Sequence, residues 1–277
     1  MDRISAVIIT QNEERNIARC LASLKGIADE VVVVDSGSTD QTKEICCQAG
    51  VVFQHHPWEG YSLQKNYAQN LATGSWILSL DADEALSDRL RKSLLQLKNS
   101  EPTEDCVYSF HRLTNYCGHW IRHCGWYPDD KVRLWHKDMC QWEGVVHEEL
   151  KFRQKAKRQT LTGDLLHYSY YSIEELAARQ MKYAALAAQK AYLLGKRPTK
   201  GALIAKPMWT FLRNYFFKGG FLDGYAGYEV CRMTALYTLL KYARLKELTK
   251  TESDGERLAQ KSSTEEDALS NPMTGNR

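Results

Sequence analysis

Short runs of β-branched residues alternate with amphipathic stretches through the first hundred residues of this chain, and that alternation narrows its fold more than any other feature. It is the pattern of βαβ units built around a mostly parallel sheet. Ile4 to Thr10 reads as a strand, and about Asn12 to Leu24 as a helix. Val31 to Asp35 is almost purely valine, as suits a strand buried on both faces. Ser38 and Gln41 stand at capping-box spacing before a helix reaching about Ala49. Val51 to Gln54 reads as a third strand, 62–72 as a helix, Trp76 to Leu80 as a strand ending at Asp81, and Asp88 to Lys98 as a closing helix.

The pattern then changes. From Cys106 to Leu166 the chain is aromatic and alternating, with strands expected at Val107 to Arg112, Lys131 to His136 and Leu161 to Leu166. Ser172 and Glu175 form a second capping box, opening a helix to Leu194. Pro207 to Lys218 and Tyr225 to Leu248 read as two more helices about a Gly219-Gly220 hinge. Thr251 to Arg277 has no aromatic, Ile, Val or Cys residue, so it is expected to be a disordered tail. The expected organisation is βα units over 1–100, a β-rich part of the same domain over 101–170, a helical extension over 171–250 and the tail over 251–277.

With 43% hydrophobic and 26% charged residues in 277, the chain can bury a large core, which excludes a disordered protein, a collagen or a disulfide mini-domain. Ile4 to Ile9 is far short of a bilayer span, and neither a cleavable signal nor a transmembrane helix is expected. Eight cysteines, with Cys46 and Cys47 adjacent, fit no disulfide framework and suggest a reducing compartment. Charge is uneven: residues 1–150 carry 15 Lys/Arg against 22 Asp/Glu, and 151–250 carry 19 against 6. The basic half suits an anionic surface such as phospholipid, phosphorylated glycan or nucleic acid, or consists of ordinary solvated helix faces.

The chemistry concentrates at strand ends. Trp76 to Leu80 delivers Asp81 and Asp83, spaced by Ala82, to the carboxyl edge of a sheet, where open α/β folds bind ligands. Hard oxygen donors there suit Mg²⁺ or Mn²⁺ bridging a diphosphate. Val31 to Val34 ends likewise in Asp35, followed by Ser36, Ser38 and Asp40, and the first strand ends in Thr10, Asn12, Glu13 and Glu14. Three strand ends would thus converge on a crevice able to hold a nucleobase and ribose through Asp35 or Glu13. The same residues also serve as plain helix caps. Cys117, His119, His123, Cys124, His136 and Cys140 raise a zinc reading, but no C-x-x-C pair or common finger spacing supports it. A haloacid-dehalogenase-type phosphatase would want Thr or Val where Glu84 and Ala85 stand, and the glycine-rich phosphate loops are missing.

Ala6 to Glu14, Val33 to Asp40 and Asp81-Ala82-Asp83, in that order, resemble the nucleotide-binding half of the family 2 inverting glycosyltransferases. Gly125 to Asp129, Arg133-Leu134-Trp135, Trp142 to Glu148 and Phe221 to Gly224 are similar to the bacterial lipopolysaccharide-core β-glucosyltransferases. The resemblance spans roughly residues 1–245. It implies a GT-A nucleotide-diphospho-sugar transferase fold, with a Rossmann-like, mostly parallel sheet and a C-terminal helical extension. It also implies a UDP-sugar donor, a lipid A-linked core oligosaccharide acceptor, no nucleic-acid partner, and a peripheral position on the cytoplasmic face of the inner membrane.

Residue by residue, the resemblance implies Asp35 at the uracil ring and Glu13 on the uridine side, with Thr10, Asn12, Ser36 and Ser38 lining that pocket. Lys65 would neutralise the diphosphate or be a solvated helix lysine. Asp81 would face the ribose or the metal's waters, Asp83 would be the direct Mg²⁺ or Mn²⁺ ligand, Glu84 would stand behind them, and His147 would complete the metal shell or orient the base. Inversion needs a base for the acceptor hydroxyl. Glu148 is the first choice, with Asp129 and Asp130 as alternatives. Trp126, Tyr127 and Trp142 would stack on acceptor sugars, with Trp120 and Trp135 in the same aromatic set, or some would form core. Arg133 would pair an acceptor phosphate or bridge Asp129 or Asp130. Pro207 to Lys218 would lie in a bilayer interface or pack on the protein. A non-enzymatic membrane or nucleic-acid module is the competing class.

Overall fold

The computed structural model describes residues 3–100, 102–144, 149–153, 155–199 and 201–270, with side chains as far as position 250. Its strands β1 (Ile4–Thr10), β2 (Glu30–Asp35), β3 (Val52–His55) and β4 (Trp76–Asp81) are separated by helices α1 (Ile17–Leu24), α2 (Thr42–Gln48) and α3 (Tyr61–Leu71). They pair in parallel in the order β3-β2-β1-β4, the βαβ arrangement expected from the alternation. Successive side chains point to opposite faces, so the strands feed two cores. Ile4, Ala6, Ile8, Trp76, Leu78 and Leu80 serve one, and Val7, Val32, Val34 and Ile77 the other. The register sets Thr10 level with Asp35 and Ile9 level with Asp81, so the carboxyl ends of β1, β2 and β4 share one edge.

The sheet continues with β5 (Glu84–Leu86), β6 (Cys106–Tyr116), β7 (His119–Ile121), β8 (Asp129–His136) and β11 (Lys157–Tyr170), with α4 (Asp88–Lys98) between β5 and β6. Beyond β4 it runs β8-β6-β11-β5, mixed in direction, while β9 (Cys140–Glu143) and β10 (Glu149–Phe152) form a separate antiparallel pair. β11 is longer than expected because Gly163 carries an irregularity within it. At φ +114 its backbone passes so close to α4 that a Cβ would lie 2.3 Å from the Leu90 nitrogen, and the β11–β6 register shifts between Thr160 and Asp164.

Two helix starts differ from expectation. α1 begins at Ile17 rather than Asn12, because Asn12 (φ 55) turns its side chain to accept from the Thr39 amide at 2.8 Å. α2 begins at Thr42, and the Ser38–Gln41 capping box does not form: Ser38 donates its hydroxyl to Asp35, while Asp40 accepts from the Thr42 amide at 3.0 Å. Short polar side chains here bond neighbouring loops in preference to the helix.

The chain divides into two compact units, Met1–Tyr171 and Ser172–Arg277. The second contains α5 (Ile173–Leu193), capped by Ser172, whose hydroxyl accepts from the Glu175 amide at 3.3 Å. α6 (Ala202–Leu212) holds Pro207 inside rather than at its start, and continues through a π-turn (Arg213–Phe217) and a 3-10 turn (Gly220–Asp223) into α7 (Gly224–Ser270). The stretch from Thr251, expected to be disordered, extends α7 to Ser270, and 271–277 lie outside the described residues. Its Glu, Lys, Arg, Gln and Ala residues are good helix formers, and lengthening an existing helix avoids the cost of nucleation. Among the described residues no helix is long and apolar enough to cross a membrane.

Candidate active site

At the β1/β2 edge, the segments after the strands are laced together. The Asp35 carboxylate accepts from the Gly37 and Ser38 amides, both at 2.8 Å, and from the Ser38 hydroxyl. Ser38 also accepts from the Asn12 amide at 2.8 Å, and Thr42 from the Glu13 amide at 2.8 Å. Glu13 accepts from the Asn16 side chain at 2.8 Å, and Ser36 from the Gln64 side chain at 3.0 Å. A carboxylate offers about four lone-pair sites, so Asp35 keeps one beyond the three in use. Thr10 ends β1 with its hydroxyl buried and without a hydrogen-bond partner among the described residues.

The end of β4 is built from charges instead. Asp81 lies between Lys65 at 3.1 Å and Arg133 at 2.8 Å. Arg133 also reaches Glu84 at 2.5 Å, and Arg112 stands 3.6 Å from the same carboxylate. Burial by itself would raise the pKa of Asp81, but the Arg133 guanidinium and the Lys65 ammonium outweigh it and hold the carboxyl well below the usual range. Glu84 is fully buried and accepts the Asp81 amide at 3.1 Å, which pins the turn between them. Lys65 is buried as well, and its ammonium lies 4.5 Å from the Trp142 ring centre.

Asp83 has a different partner. Its Oδ2 is 3.1 Å from Nε2 of His167, and the two side chains are 16% and 11% exposed. The register explains the meeting, since β11 sets His167 opposite Glu84 of β5 and opposite Thr114 of β6. Nδ1 of His167 lies 3.3 Å from the Thr114 hydroxyl. His167 also walls a cavity of about 320 Å³ together with Arg112, Thr114, Trp126, Asp129 and Tyr170. A carboxylate and an imidazole side by side suit a divalent cation whose other ligands come from a diphosphate and water. No three His, Cys, Asp or Glu side chains converge on a metal position among the described residues.

Several expected residues are placed differently. Arg133, expected at an acceptor phosphate or at Asp129 or Asp130, is 3% exposed and committed to Asp81 and Glu84. Lys65, expected at the diphosphate or in solvent, is committed to Asp81. Trp142, expected to stack on sugar, is core: it packs edge-on to the buried Trp135 at 5.8 Å. Trp126 and Tyr127 remain half-buried, the first in the cavity wall and the second donating to Asp164 at 2.8 Å. Asp129 pairs with Arg112 at 2.7 Å and Lys131 at 3.0 Å, and Asp130 pairs with Arg158. His147 and Glu148 lie outside the described residues. Arg112, Thr114, His167 and Tyr170 were not singled out from the sequence.

The family model of glycosyl transferase family 2 matches residues 5–176. The chain belongs to that family. Across residues 5–171 its α/β architecture is the GT-A fold of a glycosyltransferase. The transferase is 30% identical over 268 residues to a glycosyltransferase of Rickettsia typhi, covering 90% of this chain and 88% of the relative. It is 32% identical over 254 residues to the lipopolysaccharide core biosynthesis glycosyltransferase LpsC of Rhizobium meliloti, covering 87% and 91%. A Pyrobaculum calidifontis mannosyltransferase solved with GDP-mannose and Mn²⁺ is 15% identical, covers 88% of this chain and 87% of its own, and has a TM-score of 0.48.

Proposed function

We propose that this glycosyltransferase is an inverting, metal-dependent hexosyltransferase that moves glucose from UDP-glucose onto a heptose of the lipopolysaccharide inner core, working peripherally at the cytoplasmic face of the inner membrane. The observation that carries the reading is the Asp83–His167 pair, which joins the strand-end side of the sheet to the cavity walled by Arg112, Trp126, Asp129 and Tyr170. The named function of the Rhizobium relative supports the acceptor class. The spare lone pair on Asp35 and the orphan Thr10 hydroxyl suit a nucleobase N–H and a ribose.

Asp83 and His167 would hold Mg²⁺ or Mn²⁺, which supplies positive charge where the departing diphosphate develops negative charge. The protein's own residues do the rest. Lys65 and Arg133 neutralise Asp81, so the strand end does not repel an anionic donor. The cavity orients the acceptor, with the Trp126 ring offered to a sugar face. In the displacement the acceptor oxygen bonds the anomeric carbon as the bond from that carbon to the diphosphate breaks, and the hydroxyl proton passes to a carboxylate. Glu148 is the base of this reading. Asp129 is the weaker choice: burial alone would raise its pKa, but Arg112 and then Lys131 hold it below the ordinary value, which makes it a poorer proton acceptor.

The test pairs Asp83→Asn and His167→Ala with transfer from UDP-glucose to purified truncated lipopolysaccharide, with and without EDTA and Mn²⁺. Turnover is expected to fall about a hundredfold or more in each variant. EDTA should silence the wild-type protein until Mn²⁺ is restored. Turnover within about twofold of wild type in both variants would sink the reading, and transfer of another UDP-sugar or to another envelope glycan would revise the substrates while keeping the site.

A further inference from the structure

The second compact unit presents an apolar surface that the catalytic reading does not use. On α6, Ile204, Met208 and Leu212 recur at four-residue spacing, with Trp209 beside them, and are 70%, 60%, 39% and 53% exposed. Phe217 at 75%, Leu222 at 62% and Tyr225 at 74% continue the surface through the π-turn and the 3-10 turn. Ring contacts make it continuous: Trp209 meets Phe217 at 5.8 Å between centroids, and Tyr215 meets Phe216 at 5.1 Å and Phe221 at 6.2 Å. Monomeric proteins rarely leave so many large side chains together in water.

The turn bearing these side chains is built in rather than loosely attached. A Cβ on Gly227 would fall 2.0 Å from the Gly220 carbonyl oxygen, and one on Gly220 would meet the Cys231 sulfur at 2.6 Å. The backbone at 213–224 is therefore clamped on the first turns of α7, with Asn214 buried beneath it. The π-turn leaves Phe216 and Phe217 exposed, while Tyr215 stacks on Phe211 at 5.3 Å.

Charge identifies the occupant. Between Leu176 and Leu222 the chain carries nine Lys/Arg and no Asp or Glu. Lys206, Arg213 and Lys218 lie within the apolar stretch itself and are exposed. Aromatic and aliphatic side chains interspersed with cations, with the half-buried Asp223 at the end of the 3-10 turn as the one acidic residue of α6 and the two turns, match the interface of an anionic bilayer, where rings sit at headgroup depth and the cations meet lipid phosphates. We propose that the face formed by α6, the π-turn and the 3-10 turn docks on an anionic phospholipid surface, with Trp209, Phe217 and Leu222 entering the interface and Lys206, Arg213 and Lys218 paired to headgroups. This deepens the reading above, because a lipid-linked acceptor is reached from a bilayer. The assay below needs neither donor nor acceptor, so it fails or succeeds independently of the transfer chemistry.

The full chain is sedimented with vesicles of phosphatidylglycerol and phosphatidylethanolamine, and with vesicles of phosphatidylcholine alone. Binding is expected on the first and about tenfold weaker on the second, and to fall steeply with salt. Two variants divide the contributions, and circular dichroism confirms their fold. F217S/L222S should weaken binding about tenfold or more at any salt. R213Q/K218Q should weaken it about fivefold per cation at low salt and little at high salt. Failure to bind anionic vesicles, or binding that both variants leave unchanged, overturns the proposal. So does binding to duplex DNA in preference to vesicles, or a dimer in sedimentation equilibrium that F217S/L222S dissociates while vesicles are ignored, since that gives the face to a second copy of this chain.

Discussion

β2 and β4 are both apolar strands that end in a buried or half-buried aspartate, yet the two carboxylates are satisfied in opposite ways. Asp35 is held by neutral donors, two backbone amides and a hydroxyl, and it shapes the loop that follows it. Asp81 is held by two cations, Lys65 and Arg133, and through Arg133 it shares charge with Glu84. Hydrogen bonds from amides fix geometry and leave the net negative charge in place. Ion pairs cancel it. On the proposed reading a nucleotide-sugar site would use both, a precise edge for the base and a neutralised floor for the diphosphate, on either side of β1.

The largest effect should come from breaking the charged side. The Arg133 side chain is 4% exposed and that of Glu84 not at all, so Arg133→Met takes the nearer cation from a buried carboxylate and leaves it only Arg112 at 3.6 Å. Unfolding in urea should show a loss of about 3–5 kcal/mol. Adding Glu84→Gln should restore a good part of that loss, because the uncompensated charge is then gone. A single variant as stable as wild type would mean that the network contributes neutralisation without stability.

How much of this was legible in the sequence differs between the same two regions. The strands and their terminal carboxylates could be read because an apolar run followed by a polar break is a local signal. Which cation serves which carboxylate could not. Arg133 lies on β8 and meets Asp81 only because β8 pairs with β4. Trp142 reads like a sugar-stacking ring until β9 places it against Trp135 and beneath Lys65. His167 has no sequence relation to Asp83, and β11 brings them together by pairing with β5. The two capping boxes make the point within one motif. Ser172 caps α5 because its oxygen is left to accept from the Glu175 amide even while its hydrogen goes to the Glu174 carboxylate. Ser38 does not cap α2, because its oxygen accepts from the Asn12 amide while Asp35, three residues earlier, takes its hydrogen. Spelling is local, and competition for hydrogen bonds is not.

On the neutral side, Asp35→Asn can keep an amide oxygen on the Gly37 and Ser38 amides, but it loses the charge and turns its NH2 toward the Ser38 hydroxyl that the carboxylate accepts from. Stability should fall by about 2 kcal/mol, the size of a buried charge-assisted hydrogen bond. The loop carrying Ser36 and Ser38 should loosen with it, so KM for the donor should rise more than kcat falls. An unchanged KM would separate Asp35 from donor binding and leave it a purely structural residue.

The smallest effect tests whether exposure, rather than pairing as such, sets the size of an electrostatic contribution. Asp129 pairs with Arg112 at 2.7 Å and Lys131 at 3.0 Å, close to the 2.5 Å between Arg133 and Glu84, but its side chain is 32% exposed where that of Glu84 is not exposed at all. Burial raises its pKa, and the two cations bring it below the ordinary value. A carboxyl with a lowered folded pKa adds stability above its unfolded value, about 3.9, and loses that contribution as pH falls through the folded value. Asp129→Asn should therefore cost about 1 kcal/mol or less near neutral pH, less again in high salt, and nothing once the pH is low enough to protonate Asp129 in the folded protein. Arg112 is not stranded by the change, since Glu84 remains 3.6 Å away. Exposure is what distinguishes this pair from Arg133 and Glu84, and a loss from Asp129→Asn as large as that from Arg133→Met would erase the distinction.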